Sequence, residues 1–361
     1  MKVLAINSSA RPKGQTKTGL VLDRLVDGMR DAGAEVELVE LRKKKVNYCI
    51  GCFTCWTKTP GRCVHKDDMT SELFPKWLAS DLVVYASPLY YFTVNAEMKA
   101  FIERTLPVLQ PFFEETKDDS GGRKTRHPLR NPHPKVVMES VAGFPELSAF
   151  DQLSSWARFI YGREGNLVAE IYRPMAEMLA QPNAGKAGEI LAAVSRAGRE
   201  IVTNGSVSKE TMSAVTQDLV ADPGSLLKHA GNLMWKTCIA EGITPKEFVE
   251  RGMVPRPDSI EGFMALMSFA FNPARAGEMK AVYQFVFSGK TEGACYFAIE
   301  GGRMTAREGK AGHADVTITA PFDLWMDILT KKADPQQLFL EQKYAVEGDL
   351  NLLIRMGEIY G

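Results

Sequence analysis

The chain has no surplus of either charge: 44 lysines and arginines stand against 44 aspartates and glutamates in 361 residues. Such a balance lacks the electrostatic footprint of a dedicated nucleic-acid binder. The one dense basic run, residues 42–45, reads as a solvated face rather than a binding patch. No apolar run approaches the ~18 residues that a membrane-spanning helix needs. The start does not have the layout of a secretory leader, because its apolar stretch is short and Asn7 ends it. A soluble, cytoplasmic protein is the expectation, and in a reducing cytosol six cysteines do not read as a disulfide framework. Neither a Walker loop nor a G-x-G-x-x-G fingerprint is present. The length exceeds what one hydrophobic core usually supports, so two or three domains are expected.

What is present is a regular alternation. Apolar runs at residues 2–6, 81–87, 135–141 and 166–172, with the alternating stretch 36–41, read as five strands with helical stretches between most of them. The first such helix, 16–32, gathers Val21, Leu22, Leu25, Val26 and Met29 on one side. Largely apolar strands alternating with helices imply an α/β fold whose parallel sheet is covered on both faces. Ligands in such sheets bind outside the carboxyl ends of the strands, which directs attention to the loops after strands one, three and four. Residues 112–134 interrupt the pattern with a polar insertion that reads as a mobile surface loop, a lid being the alternative. His127 and His133 within it read as solvated.

From about residue 174 to 252 the pattern is helical. Ile190, Leu191, Val194, Ala197 and Ile201 mark one amphipathic helix, ended by Asn204 and Gly205. Leu226, Leu227, Leu233 and Trp235 mark another, with Cys238 as a packed thiol. Past a Pro-rich boundary at 251–258 the period changes to two, through Tyr283, Phe285 and Phe287, then Cys295, Phe297 and Ile299, with a hairpin turn at Gly301 and Gly302. Val316 and Ile318 mark a further strand, and helices follow over 322–332, 335–342 and 350–359. The expected division is therefore residues 1–175, a helical connector at 176–257, and an α+β domain at 258–361.

After the first strand, Ser9, Arg11, Gly14, Gln15 and Thr16 converge on a helix start. Backbone N–H groups, the helix dipole and the charge of Arg11 suit a phosphate there, while a plain N-cap is the bland reading of Thr16. The third strand runs into Ser87, Pro88, Leu89, Tyr90, Tyr91 and Phe92. Three consecutive aromatics cannot all face one way, so at least one is expected to be exposed. A flat cofactor at the strand's end is a reason for that.

Together with the downstream pattern of Met98, Lys99, Phe101, Ile102, Glu103 and Arg104, these loops resemble the flavodoxin-like NAD(P)H-dependent FMN reductases over about residues 1–175. The resemblance implies a doubly wound, five-stranded parallel sheet, FMN as cofactor and NAD(P)H as reductant. It puts Ser9, Arg11, Gln15 and Thr16 on the FMN phosphate. It puts Pro88, Leu89, Tyr90 and Tyr91 along the ring and ribityl chain, and Gly143 near the ring. Ser8, Ala10 and Gln15 depart from the Gly, Pro and Asn usual in that family. No side-chain acid or base is assigned, because hydride transfer to a flavin requires none. The resemblance also implies a homodimer or homotetramer.

Cys49, Cys52, Cys55 and Cys63 are spaced C-x2-C-x2-C-x7-C. Compact runs of this kind are typical of [4Fe–4S] ligation. Zinc sites built from four cysteines usually come as two separated knuckles, and unligated thiols are the third reading. Residues 42–45 and Lys58 stand near enough in sequence to offset thiolate charge. The pattern, with Val64 to Met69 trailing it, is similar to that of the iron–sulfur flavoproteins of the same superfamily, with a final spacer at the long end.

Residues around 260–361 resemble the sterol carrier protein type 2 domain, best at 314–320, 322–329, 333–339 and 344–349, with Glu341 where that family usually has Gly. The resemblance implies an open sheet with helices around an apolar tunnel. Phe285, Phe287, Phe297, Trp325, Ile328, Leu329 and Phe339 are candidate lining residues, and core packing is the alternative for each. His313 reads as a surface turn residue. The expected function is an FMN-dependent NAD(P)H oxidoreductase that passes electrons to a small-molecule acceptor or redox partner protein, possessing an apolar-ligand domain. The other class of reading is a lipid or steroid carrier with a regulatory flavodoxin-like half.

Overall fold

The computed structural model describes residues 1–12, 14–117, 122–162, 165–180, 186–220 and 222–360. The chain forms two compact units, Met1–Leu219 and Val220–Gly361.

In the first unit, β1 (Lys2–Asn7), α1 (Lys17–Asp31), β2 (Glu35–Glu40), α2 (Phe74–Leu78), β3 (Leu82–Pro88) and α3 (Ala96–Glu103) follow one another. A hairpin of β4 (Glu114–Lys117) and β5 (Arg123–Arg126) precedes β6 (Lys135–Val141), α4 (Asp151–Tyr161), β7 (Leu167–Arg173), α5 (Ala187–Asn204) and α6 (Lys209–Thr216). The main sheet is ordered β2-β1-β3-β6-β7 with every pairing parallel, the flavodoxin-like order. The central strands β1 and β3 are apolar on both sides because both faces are covered, whereas the edge strand β2 alternates with glutamates. On one face Leu4, Ile6, Val83, Tyr85, Val136 and Met138 pack with Phe74 and Trp77 of α2, Met98 and Phe101 of α3, and Leu153 of α4. On the other lies α1.

The insertion at 112–134 is not only a loop. Glu114 to Lys117 pairs with Arg123 to Arg126 in an antiparallel ladder; residues 118–121 of that insertion lie outside the described residues.

The stretch 176–257, expected as a helical connector, is shared between the two units. Its first helix, α5, packs on α1 as part of the first unit. Two glycines make this close approach feasible. A Cβ on Gly28 would sit 1.8 Å from the Ser195 carbonyl oxygen, and one on Gly198 would sit 2.1 Å from that of Leu25. Gly205, at a φ of 69°, ends α5 in the left-handed conformation that glycine adopts without strain. Residues 181–185 and 221 of this stretch lie outside the described residues.

The second unit opens with α7 (Pro223–Leu226), α8 (Asn232–Glu241), α9 (Pro245–Glu250), α10 (Ile260–Ala270) and α11 (Pro273–Ala276). It continues with β8 (Ala281–Ser288), β9 (Gly293–Glu300), β10 (Arg303–Glu308), β11 (Val316–Pro321), α12 (Phe322–Leu329), α13 (Pro335–Leu340), β12 (Ala345–Gly348) and α14 (Leu350–Ile359). The sheet is ordered β10-β9-β8-β11-β12 and is mixed, β8 and β11 being parallel and the other pairs antiparallel. The Glu300–Arg303 hairpin lies where the alternation places it. Phe285, Phe287, Phe297 and Trp325 are buried, and Phe263 of α10 meets Phe285, Phe287 and Phe297 edge-on at 5.1–5.7 Å. These four candidate tunnel residues thus pack within one continuous core with Ile328 and Leu329 at its margin, whereas Phe339 is 40% exposed. His313 is exposed and faces Asp315 across 3.3 Å.

Candidate flavin and cysteine sites

The loop after β1 is held from below and open above. Ser8 is buried, and both its N–H and its hydroxyl donate to the Ala86 carbonyl, at 2.9 and 3.1 Å. Ser9 is buried too, its N–H donating to Asn7 Oδ1 at 2.9 Å. Thr16 caps α1, its hydroxyl accepting from Gly19 N–H at 3.4 Å. A Cβ on Gly19 would come within 2.8 Å of Thr16 Cγ2, so the first helical turn closes tightly on the cap. No acidic residue occupies that first turn. Gly14 stands at a φ of 83° with open space around it, and Arg11 and Gln15 are exposed beside it. Arg11 has no carboxylate partner among the described residues. A loop with spare cationic charge, leading into an uncompensated helix N-terminus, suits an anion.

Asn95, which the sequence reading did not single out, ties this loop to the next. It caps α3, donates to the Ser8 carbonyl at 2.7 Å and shares a hydrogen bond with the Ser87 hydroxyl. An Asn immediately before a helical pattern was the available sign.

Beyond β3, Pro88 and Leu89 are half-buried and Tyr90, Tyr91 and Phe92 are all exposed, Tyr91 by 98%. Tyr90 and Thr93 exchange N–H···O bonds of 3.0 Å, closing a two-residue turn. Its central residues, Tyr91 and Phe92, have φ of 47° and 63°. That geometry favours Gly and Asn, and two aromatics in it store strain of about 1–3 kcal/mol each. The turn reaches the loop after β6, where Phe92 stacks on Phe144. Phe144 is exposed, its carbonyl accepts from Met175 N–H at 2.9 Å, and Gly143 beside it has open space where a Cβ would lie. The three loops named from the sequence therefore meet at the carboxyl ends of β1, β3 and β6, and Phe92 and Phe144 join the expected Tyr90, Tyr91 and Gly143.

Under these loops lies a carboxyl that the sequence reading passed over. Glu139 of β6 shares its sheet row with Ala86 and Asn7. It is fully buried, neither carboxyl oxygen has a hydrogen-bond partner, and burial pushes it well above the usual carboxylate range.

All four clustered cysteines line one small pocket of about 20 Å³, with Phe53, Val64, His65, Arg104 and Leu106 also on its wall. Cys52 is exposed and its thiol is pulled below its ordinary value by hydrogen bonds from Thr54. Cys55 is buried and is pushed up, first by burial and then by Cys63, Cys52 and Cys49 around it. The positive charge at this pocket is not the one expected. Arg42 and Lys43 pair with Glu40, and Lys44 pairs with Glu72. Carboxylates nearer to hand have taken three of the four charges of that run, and Arg104 lies beside Cys63.

Arg104 is one half of a buried clamp. Its guanidinium grips the Asp67 carboxylate at 2.7 and 3.1 Å and donates to the Asn47 carbonyl and the Thr70 hydroxyl. Burial pushes Asp67 up, but Arg104 and the N–H groups of Asn47 and Thr70 outweigh it and hold the carboxyl well below the usual range. The clamp and the Lys45–Asp68 bonds fix both ends of the cysteine loop.

The donor set fits a four-iron cluster, in which each thiolate binds a different iron. Among the described residues no three His, Cys, Asp or Glu side chains are gathered tightly enough for a single metal ion. No helix of the described residues is long and apolar enough to cross a membrane.

The family described as NADPH-dependent FMN reductase matches residues 1–117, and the SCP-2 sterol transfer family matches residues 269–360. An iron–sulfur flavoprotein of Methanocaldococcus jannaschii is 30% identical over 144 residues, 40% of this chain and 71% of that protein. An iron–sulfur flavoprotein of Archaeoglobus fulgidus is 45% identical over 107 residues, 30% of this chain and 46% of that protein. A second M. jannaschii iron–sulfur flavoprotein is matched over 52% of its length, so the chain spans about half the length of several curated relatives. Among solved structures, an NAD(P)H:quinone oxidoreductase from Methanothermobacter marburgensis aligns with a TM-score of 0.42 at 16% identity, over 56% of this chain and 96% of that one.

Proposed function

Because the chain belongs to the iron–sulfur flavoprotein family, with an SCP-2 sterol transfer family domain at its C-terminal end, we propose that it is an FMN-dependent NAD(P)H oxidoreductase. The observation that carries the proposal is the meeting of the anion-suited loop after β1 with exposed aromatics at the ends of β3 and β6.

FMN supplies acceptance of a hydride from NAD(P)H, and a [4Fe–4S] cluster one-electron exchange. The protein's part is to bind and orient. The N–H groups at the start of α1, with Ser9, Gln15 and Thr16, would hold the phosphate, and Arg11 would neutralise its charge. Pro88, Leu89, Tyr90, Tyr91 and Gly143 would line the ring and ribityl chain, with Phe92 and Phe144 closing one edge. The open space at Gly143 leaves room for a nicotinamide to approach. Cys49, Cys52, Cys55 and Cys63 would hold the cluster, with Arg104 beside Cys63 offsetting thiolate charge. No side chain is assigned a proton in the hydride step.

In this reading residues 1–175 carry the flavin, and 258–361 receive an apolar ligand or acceptor, with 176–257 between them. The protein works as a soluble homo-oligomer that hands electrons to a small molecule or a redox partner. The test is anaerobic oxidation of NADH and NADPH by FMN-loaded protein with a quinone as acceptor. Turnover that needs FMN and falls in Ser9→Asp supports the reading; FMN-loaded protein that oxidises neither nucleotide refutes it.

A further inference from the structure

A cavity of about 590 Å³ lies in the first unit, between the β4–β5 hairpin, the end of α3 and the end of α4. This is within the volume range of small-molecule sites. It shares Glu103 and Leu106 with the wall of the cysteine pocket, but no cysteine and no flavin-loop residue lines it. Its deep wall is aromatic and apolar. Trp77, Val108 and Tyr161, each nearly inaccessible, face it, and the His133 ring lies 6.3 Å from Trp77 and 6.5 Å from Tyr161.

Its outer wall is cationic once the internal pairs are removed. Glu103 is bonded to Lys99, and Glu114 faces Arg126 at 3.6 Å. Lys124 has no carboxylate partner among the described residues and holds its ammonium 4.6 Å from the centre of the Phe159 ring. Two imidazoles add to this wall. Nδ1 of His127 lies 3.0 Å from the Phe112 carbonyl, and Nδ1 of His133 lies 2.8 Å from the Pro134 carbonyl. A carbonyl only accepts, so each Nδ1 carries the hydrogen.

We propose that this cavity binds a planar aromatic anion, an aryl carboxylate or sulfonate. Its ring lies beside the exposed Phe159 over the wall that Trp77, Val108 and Tyr161 close from behind, and its acid group points to Lys124. Stacking and ring burial give the affinity, and the unpaired ammonium selects the charge. The inference does not depend on the flavin reading, since no residue of the flavin loops lines the cavity.

The test titrates 2-naphthoate, and separately the cation 2-naphthylmethylammonium, into the full-length protein with calorimetric readout. Expected is one naphthoate site per chain, preferred over the cation by about tenfold or more, roughly the worth of one charge-assisted contact. Lys124→Glu should weaken naphthoate by about tenfold and erase the preference. Val108→Trp should block both probes by filling the deep wall. Should that variant not fold, Phe159→Ala, at an exposed position, should weaken naphthoate by several-fold with the fold unchanged. FMN retention should be the same in every folded variant. Absence of naphthoate binding, a preference for the cation, or affinity unchanged in both Lys124→Glu and Phe159→Ala would each overturn the proposal. So would a binding isotherm that vanishes when the chain self-associates, because a second copy would then be the occupant.

Discussion

The rings of Phe92 and Phe144 stack with centroids 5.6 Å apart and planes 23° apart, although one follows β3 and the other β6. Both are nearly half exposed, and Phe92 sits in a left-handed backbone that a bulky residue seldom adopts. Strain and exposure together are what a surface built to receive a flat molecule would show. Phe144→Ala is therefore expected to weaken FMN binding by about 3- to 10-fold, the worth of one aromatic contact. Fluorescence titration of apoprotein with FMN checks this, and an unchanged affinity would place the pair outside the flavin site.

The loop after β1 should discriminate by phosphate. Arg11→Glu is expected to lower affinity for FMN by about tenfold or more while leaving riboflavin, which lacks the phosphate, within about twofold. Equal losses for both ligands would mean that Arg11 acts elsewhere.

Breaking the buried clamp should be costly in one direction only. Asp67→Ala leaves the Arg104 charge buried without its counter-ion, an expected loss of about 3–5 kcal/mol in unfolding free energy. Asp67→Leu combined with Arg104→Met should recover most of it. The folded-state pKa of Asp67 is depressed, so the clamp's contribution is present above the unfolded carboxyl value and is lost as pH falls through the folded one. Denaturant titrations of the single and double variants decide whether charge pairing or mere volume matters.

Glu139 predicts the opposite sign. Its folded-state pKa is raised, so it is harmless below the unfolded carboxyl value of about 4.3 and withdraws stability as pH rises toward the folded value. Glu139→Met, which removes the unpartnered oxygens at similar length, should stabilise the protein more at about pH 8 than at about pH 5. A gain independent of pH would show that burial alone, and not ionisation, sets the cost.

Much of this architecture could be read from residue patterns because the fold relies on period and punctuation. Largely apolar runs and one alternating stretch gave the five parallel strands, and Gly301 with Gly302 gave the hairpin of the second sheet. What escaped the pattern depends on contacts between distant residues. The packing of α5 on α1 rests on Gly28 and Gly198, 170 positions apart, and neither glycine looks unusual within its own helix. Arg104 and Asp67 are 37 residues apart and each is unremarkable until the fold buries both. Within the basic run at 42–45, Arg42, Lys43 and Lys44 are held by Glu40 and Glu72, partners that only the folded chain brings to them. Glu139 was hidden because one carboxylate in an apolar strand carries no motif.

The central claim is that one unit holds both FMN and a cluster on Cys49, Cys52, Cys55 and Cys63. Anaerobic purification followed by a visible spectrum, with flavin, iron and sulfide analysis on the same sample, tests it most directly. The account predicts one FMN and about four irons per chain, with the iron lost and the flavin kept when Cys55 is changed to Ser. Flavin with no iron under anaerobic reconstitution would contradict the cluster, and a protein that takes up no flavin when FMN is added would contradict the account as a whole.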